Sequence, residues 1–265
     1  MKKYLLLLPL IGLCLLTSSC FQQHIEISLN ENGSGTITEK TSLSAQMLAM
    51  MAGAPGGADE AIAGMVTDAK DKATKQAAVM GEGVALKSVE ALNADGKKGT
   101  VTTYTFKDIN KLKYSGDGGM SGGMDGGQEE IKETENPMQF SYKNGTLTLI
   151  NEEPKADKAE EAADAGEDEE MSDQQLAMAQ QMMGDMRVTI KLNFPGGIEK
   201  TNASHVDGNK LTILDLQMGK VLENPEKFKA LNKEKPESPA EMLEILDGVE
   251  GVIIEPKSKV TVTLK

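Results

Sequence analysis

The chain has no tryptophan, and only five phenylalanines and four tyrosines among 265 residues. Its core must therefore be built from Leu, Ile, Val and Met. A carbohydrate-binding surface usually offers aromatic platforms, and this chain has few to offer. Histidine is scarcer still, with His24 and His205 the only two. A zinc centre usually takes several His or Cys ligands, and the cysteines are limited to Cys14 and Cys20. No metal site and no cofactor is expected. Positive charge is also short. A formal net charge of −13 disfavours nucleic acid, which needs a basic surface, and electrostatic adhesion to anionic lipid. Beyond the first twenty residues no apolar run approaches the roughly 20 residues that cross a bilayer.

The first twenty residues have a pattern of their own. Lys2 and Lys3 precede an apolar run from Leu5 to Leu16, interrupted only by Pro9 and Gly12. Small residues Thr17, Ser18 and Ser19 then lead into Cys20. Charge, apolar run and small-residue cleavage site, in that order, make a secretory signal peptide over residues 1–19. A cysteine directly after the small residues resembles the lipobox of bacterial lipoproteins, with Thr17 standing where that motif usually has Leu. The resemblance implies diacylglycerol on the Cys20 thiol and acylation of its new amino group, palmitate being a common chain. Cleavage would remove Cys14 and leave one thiol. A single unpaired thiol in an exported protein is a liability that lipidation resolves. Several acyl chains, at about 0.8 kcal/mol per buried methylene, anchor a protein without a spanning helix. The expected partner is thus a membrane, outer or inner, with the rest of the chain in the periplasm or elsewhere in the cell envelope. Loss of Lys2 and Lys3 moves the formal charge to about −15.

No catalytic constellation is legible. Ser204 and His205 are neighbours in a predicted strand and point to opposite faces, and no GxSxG elbow occurs. The run from Ser115 to Gly127 holds seven glycines but lacks the lysine of a phosphate-binding loop and the nonapeptide period of a calcium repeat. A calcium loop beginning at Asn30 needs Glu at its twelfth position, where Thr41 stands. Between Glu152 and Glu170 ten acidic residues face only Lys155 and Lys158. Such a stretch buries too little to offset chain entropy and reads as a disordered acidic insertion. The expectation is a non-enzymatic protein.

Periodicity predicts an α+β fold, an antiparallel sheet built from several β-hairpins, with one long helix and several shorter ones, in a single domain over 20–265. Ile25, Ile27 and Leu29 share one strand face, and Asn32-Gly33 turns the chain into a thinner strand over Thr36–Thr41, expected near an edge. Ile62, Met65, Val66, Ala69, Ala73, Ala77 and Met80 recur at helical spacing. Val84–Leu92 and Thr100–Phe106 form a second hairpin. Strands on either side of Asn144-Gly145 form a third. Met186, Val188, Ile190, Leu192 and Phe194 alternate without a break. Ile198–His205 is expected to pair with Lys210–Leu216 across Asp207-Gly208. Asn224-Pro225 and Ser238-Pro239 each place a capping residue before a proline at the first helical position.

Methionine is the unusual abundance, with Met47, Met50 and Met51 in one cluster and Met171, Met178, Met182, Met183 and Met186 in another. Met178, Met182 and Met186 fall at i, i+4 and i+8 on one helix face. That stripe serves as plain core, as an apolar groove for a ligand or partner, or as a soft thioether site for copper(I).

From Met186 the order "MRVTIKLNFPGGIEKTNASHVDGNKLTILDLQMGKVLENPEKFKAL" resembles a family of poorly characterised bacterial lipoproteins, as do "IEISLNENGSGTITEK", "VALKSVEAL", "TYTFKDINKL" and the closing "VEGVIIEPKSKVTVTLK". More distantly the pattern is similar to LppM-type lipoproteins. That resemblance implies an α+β domain with a suggested lipid-binding role, and it brings no catalytic residue with it. The function expected is a binding module for an apolar ligand or envelope partner. The alternative is a structural or assembly lipoprotein of the envelope.

Overall fold

The structure is a computed structural model that describes residues 21–43, 48–49, 53, 57–94, 97–114, 138–150, 173–234 and 239–265. The signal peptide, Cys20, the glycine-rich run, the acidic stretch and the Met47–Met51 cluster lie outside the described residues, apart from isolated positions.

The fold is α+β, with two sheets. Strands β1 (Phe21–Leu29), β2 (Gly35–Leu43), β3 (Ala85–Ala94) and β4 (Lys97–Phe106) precede β5 (Gln139–Lys143) and β6 (Thr146–Ile150). After these come β7 (Arg187–Asn193), β8 (Ile198–Thr201), β9 (Val206–Asp207), β10 (Lys210–Gln217), β11 (Val252–Ile254) and β12 (Lys259–Leu264). Helices α1 (Gly57–Val79), α2 (Asp173–Met183), α3 (Met218–Leu222), α4 (Pro225–Glu234) and α5 (Pro239–Leu246) join them. The large sheet runs β11-β10-β7-β1-β2-β4-β3 with β9 beside β10, and the small one runs β5-β6-β12-β8.

Three sequence expectations change. The large sheet is mixed, because β1 lies parallel to β7, with Ile25 beside Ile190 and Ile27 beside Leu192. Parallel neighbours need a long crossover, so no turn signal announces them. Second, β2 is interior, held between β1 and β4. It looks thin in sequence because its inward positions are Gly35, Ile37 and Glu39. Third, β8 leaves the large sheet. Asn202 donates from Nδ2 to the Lys259 carbonyl at 3.1 Å and accepts from Thr261 N at 2.7 Å, while Thr201 Oγ1 donates to the Thr261 carbonyl at 2.8 Å. These bonds commit the strand to β12, and only Val206–Asp207 is left to pair with β10.

The main core lies between the sheets. Ile25, Ile27 and Leu29 from β1, Leu192 from β7, Leu147 and Leu149 from β6, and Val260 and Val262 from β12 are all buried in one cluster. Helix α1 packs over β3 and β4, burying Ile62, Ala73 and Ala77. The β5–β6 turn has Asn144 at φ 50° and Gly145 at φ 76°, the two positive values of a type I′ hairpin. A second cluster gathers Leu216, Met218, Val221, Leu222, Phe228, Leu246 and Ile254 where β10 and β11 meet α3, α4 and α5. Met218–Leu222 carries no capping side chain, which is why sequence reasoning missed that helix.

Candidate functional site

The inner face of the large sheet changes character along its length. Toward the Leu29 end it is apolar, with Ile27, Ile37 and Phe106. Toward the Phe21 end it turns polar. Gln23, at 3% exposure, shares the inward parity of Ile25 and Ile27 and stands opposite Thr41 on β2 and Val188 on β7. Glu39 stands opposite Ile25 and Thr102, and Thr100 and Thr102 are buried beside it. Gln23 and Glu39 are diagonal neighbours on one face, about 7–8 Å apart.

Tyr114 Oη donates to Glu39 Oε1 at 2.8 Å. Burial holds the Glu39 carboxyl above the usual carboxylate range, and the phenol bond only partly opposes it. Burial, reinforced by Glu39, likewise raises the Tyr104 phenol. Gln23 Oε1 is buried and has no hydrogen-bond partner among the described residues. A buried acceptor of this kind costs about 1–3 kcal/mol and calls for an explanation. Sequence reasoning missed this cell. The available signal was Gln23 extending the buried parity of β1, and Glu39 that of β2.

The outer face carries His24, Glu26, Lys40, Lys191 and Lys210. His24 is half-buried. Desolvation lowers its pKa, Glu26 opposes that, and the three lysines add to the lowering. Lys210 Nζ donates to Glu26 Oε2 at 2.7 Å, and Asn193 reaches Glu26 and Ser28. His205 is also half-buried, and its carbonyl accepts from Thr212 N. The described residues contain no group of three His, Cys, Asp or Glu able to hold a metal ion. A shallow depression between the end of α1 and the Ile109–Lys111 turn is lined by Gly81, Glu82, Lys111 and Lys113. Lys111 closes on Glu82 across it.

Among the methionines singled out above, Met178 is 61% exposed. Met186 is half-buried against the second core, in company with Leu176, Ala179 and Met183. The side chain of Met182 lies outside the described residues. The packed stripe of α2 is thus Leu176, Ala179 and Met183, at i, i+3 and i+7. Gln180 Nε2 secures the helix by donating to the Leu222 carbonyl at 3.2 Å.

Three polar residues singled out by the turns and strand ends they occupy prove to be joints. Asn202 clamps β8 to β12, as described. Asn209 of the "DGN" turn donates to the Phe194 carbonyl and to Asn193 Oδ1. Glu255, 1% exposed, accepts from Ser204 N at 2.7 Å and from Lys257 N at 3.3 Å.

No helix among the described residues is long and apolar enough to cross a membrane. No protein-family profile matches the chain, and neither does any curated protein. Among solved structures the chain is distantly similar to the folded domain of LppM from Mycobacterium tuberculosis, determined by NMR. The match has 9% identity and a TM-score of 0.31, over 78% of this chain and 88% of that one. A likeness at that level carries no argument about function.

Proposed function

We propose that the chain is a bacterial envelope lipoprotein, anchored through lipid on Cys20, that acts without catalysis as a binding module. Its ligand is apolar over most of its body and has a hydrogen-bond donor at its head. The observation that carries the ligand reading is Gln23 Oε1, buried without a partner on the same inward face as Glu39 and beside apolar Ile25 and Val188. A donor delivered by a ligand would satisfy it, and the aliphatic wall would receive the rest. The anchor rests on the signal-peptide pattern ahead of Cys20.

Two experiments test this reading. Cys20→Ser is expected to move the mature chain into the soluble fraction; continued membrane attachment would place the anchor elsewhere. Native mass spectrometry with lipid extraction, on protein purified from its own membrane, is expected to show an extractable apolar mass on the wild type and a depleted one on Gln23→Met. Ligand-free Gln23→Met should be more stable by about 1 kcal/mol, because it removes an unsatisfied acceptor.

The alternative is a structural or assembly lipoprotein, favoured by the exposed Met178 on α2. Equal and empty spectra for wild type and Gln23→Met would decide for it.

A further inference from the structure

We propose that the pole of the fold carrying the start of β1 and the exposed side of α2 rests on the surface of the bilayer that holds the Cys20 lipid. The inference depends on the anchor argued above and adds an orientation to it.

Chain length is the first argument. Strand β1 begins at Phe21, the residue after Cys20, and consecutive Cα atoms are about 3.8 Å apart. A lipid on Cys20 therefore has no linker, and the strand end must sit at the membrane. The elements at that end are fixed by register. Phe21 stands opposite Leu43 of β2, Gln22 beside Arg187 of β7, and Arg187 opposite Gln217 of β10.

The second argument is where α2 lies. Gln22 Nε2 donates to the Asp185 carbonyl at 3.4 Å, so the exit of α2 touches the second residue after the cysteine. Met218 N donates to the Met186 carbonyl at 2.9 Å. Gly219 sits so close that a Cβ there would meet the Gly184 carbonyl oxygen at 2.2 Å. The helix end is thus locked to this pole. At 1.5 Å of rise per residue, Met178 lies about 10 Å along the chain from Asp185.

The third argument is what α2 presents. Leu176, Ala179 and Met183 face inward, and Ala177 and Met178 face out. Large exposed hydrophobics among the described residues are Met178 at 61% and Val206 at 41%. After Asp173 the helix has no charged residue, in a chain of net charge −13. At the pole Lys98 lies against Asp59 and Arg187 against Asp215, and Lys97 donates to the neutral Gln22 Oε1. An uncharged helix side with a flexible thioether, beside an acyl anchor, suits the headgroup–acyl boundary.

The test uses the full chain, exported and lipidated, in vesicles of phosphatidylcholine and phosphatidylglycerol. Lipidation consumes the Cys20 thiol, so Met178→Cys gives a single labelling site for an environment-sensitive fluorophore, with Ala177→Cys as a second placement. Glu31→Cys marks the opposite end, past nine strand residues or about 30 Å. Spin-labelled phosphatidylcholine is expected to quench the 178 and 177 labels about twofold or more and to leave the 31 label unchanged. Equal quenching at both ends, or none at 178 on a protein whose mass shows the lipid, overturns the orientation and leaves the anchor standing. Absence of lipid on Cys20 overturns both. A shift of the 178 label that follows protein concentration in lipid-free Cys20→Ser would assign the face to a second copy of the chain and overturn the proposal.

Discussion

Arg187 grips Asp215 with two parallel bonds across β7 and β10, Nε to Oδ1 at 2.7 Å and Nη2 to Oδ2 at 2.6 Å. The carboxylate side is 8% exposed and the guanidinium side 45%. Thr189 Oγ1 adds a weaker contact at 3.4 Å. The pair closes the outer face where β7 begins, with Arg187 directly beside Gln22 of β1.

Removing the arginine leaves a buried carboxylate with little else to hold it. Arg187→Leu is expected to lower unfolding stability by about 2–4 kcal/mol, the upper values being reduced by the half-exposed guanidinium. Arg187→Lys should recover only part of that, since an ammonium cannot supply the planar fork. Arg187→Leu combined with Asp215→Leu should be less damaging than Arg187→Leu alone. Urea denaturation of the four proteins checks the order.

Glu39 gives a pH dependence of definite sign. Its folded pKa is raised above the ordinary 4.5 by burial, so the folded state keeps a proton that the unfolded state releases. Stability from this group therefore falls as pH rises from 4.5 toward the raised value, and the penalty is complete above it. Glu39→Gln keeps an acceptor for Tyr114 and removes the titration. Its melting temperature should exceed the wild type's at pH 8, and the difference should shrink to nothing near pH 4. A constant offset across that range would place the effect outside the ionisation.

The methionines of α2 should separate by position. Met178→Ala removes an exposed side chain and is expected to change stability by less than about 0.5 kcal/mol. Met183→Ala trims a side chain packed on the second core. It should cost about 1–2 kcal/mol, below the range for full burial because Met183 is only half-buried. Thermal melts of the two variants, side by side, read the difference directly.

Faces were legible in the sequence wherever one periodicity acted alone. Ile25, Ile27 and Leu29 alternate into the core, as do Val188, Ile190, Leu192 and Phe194. The residues at helical spacing from Ile62 to Met80 are those that α1 turns inward or half-inward. Partners were less legible. Turn signals join neighbours in sequence, whereas β1–β7 and β8–β12 are set by side-chain clamps and long crossovers that leave no local mark. The candidate site was hidden for another reason. Gln23 and Glu39 are polar residues at inward positions, and alternation alone assigns polar side chains to solvent.

The β1–β7 pairing also sets a timetable. Asn193 and Ser28, bonded across it, are 165 residues apart in the chain. At roughly 5–20 residues per second of synthesis, β1 waits on the order of ten to thirty seconds for its neighbour. During that interval the β1–β2 hairpin has an open backbone edge, the kind that recruits stray strands. Pairings this distant also make folding slow. A chain that crosses a membrane with its first strand leading would have to be shielded until its second half arrives. The segment most exposed to mispairing is the one that ends in the middle of the sheet.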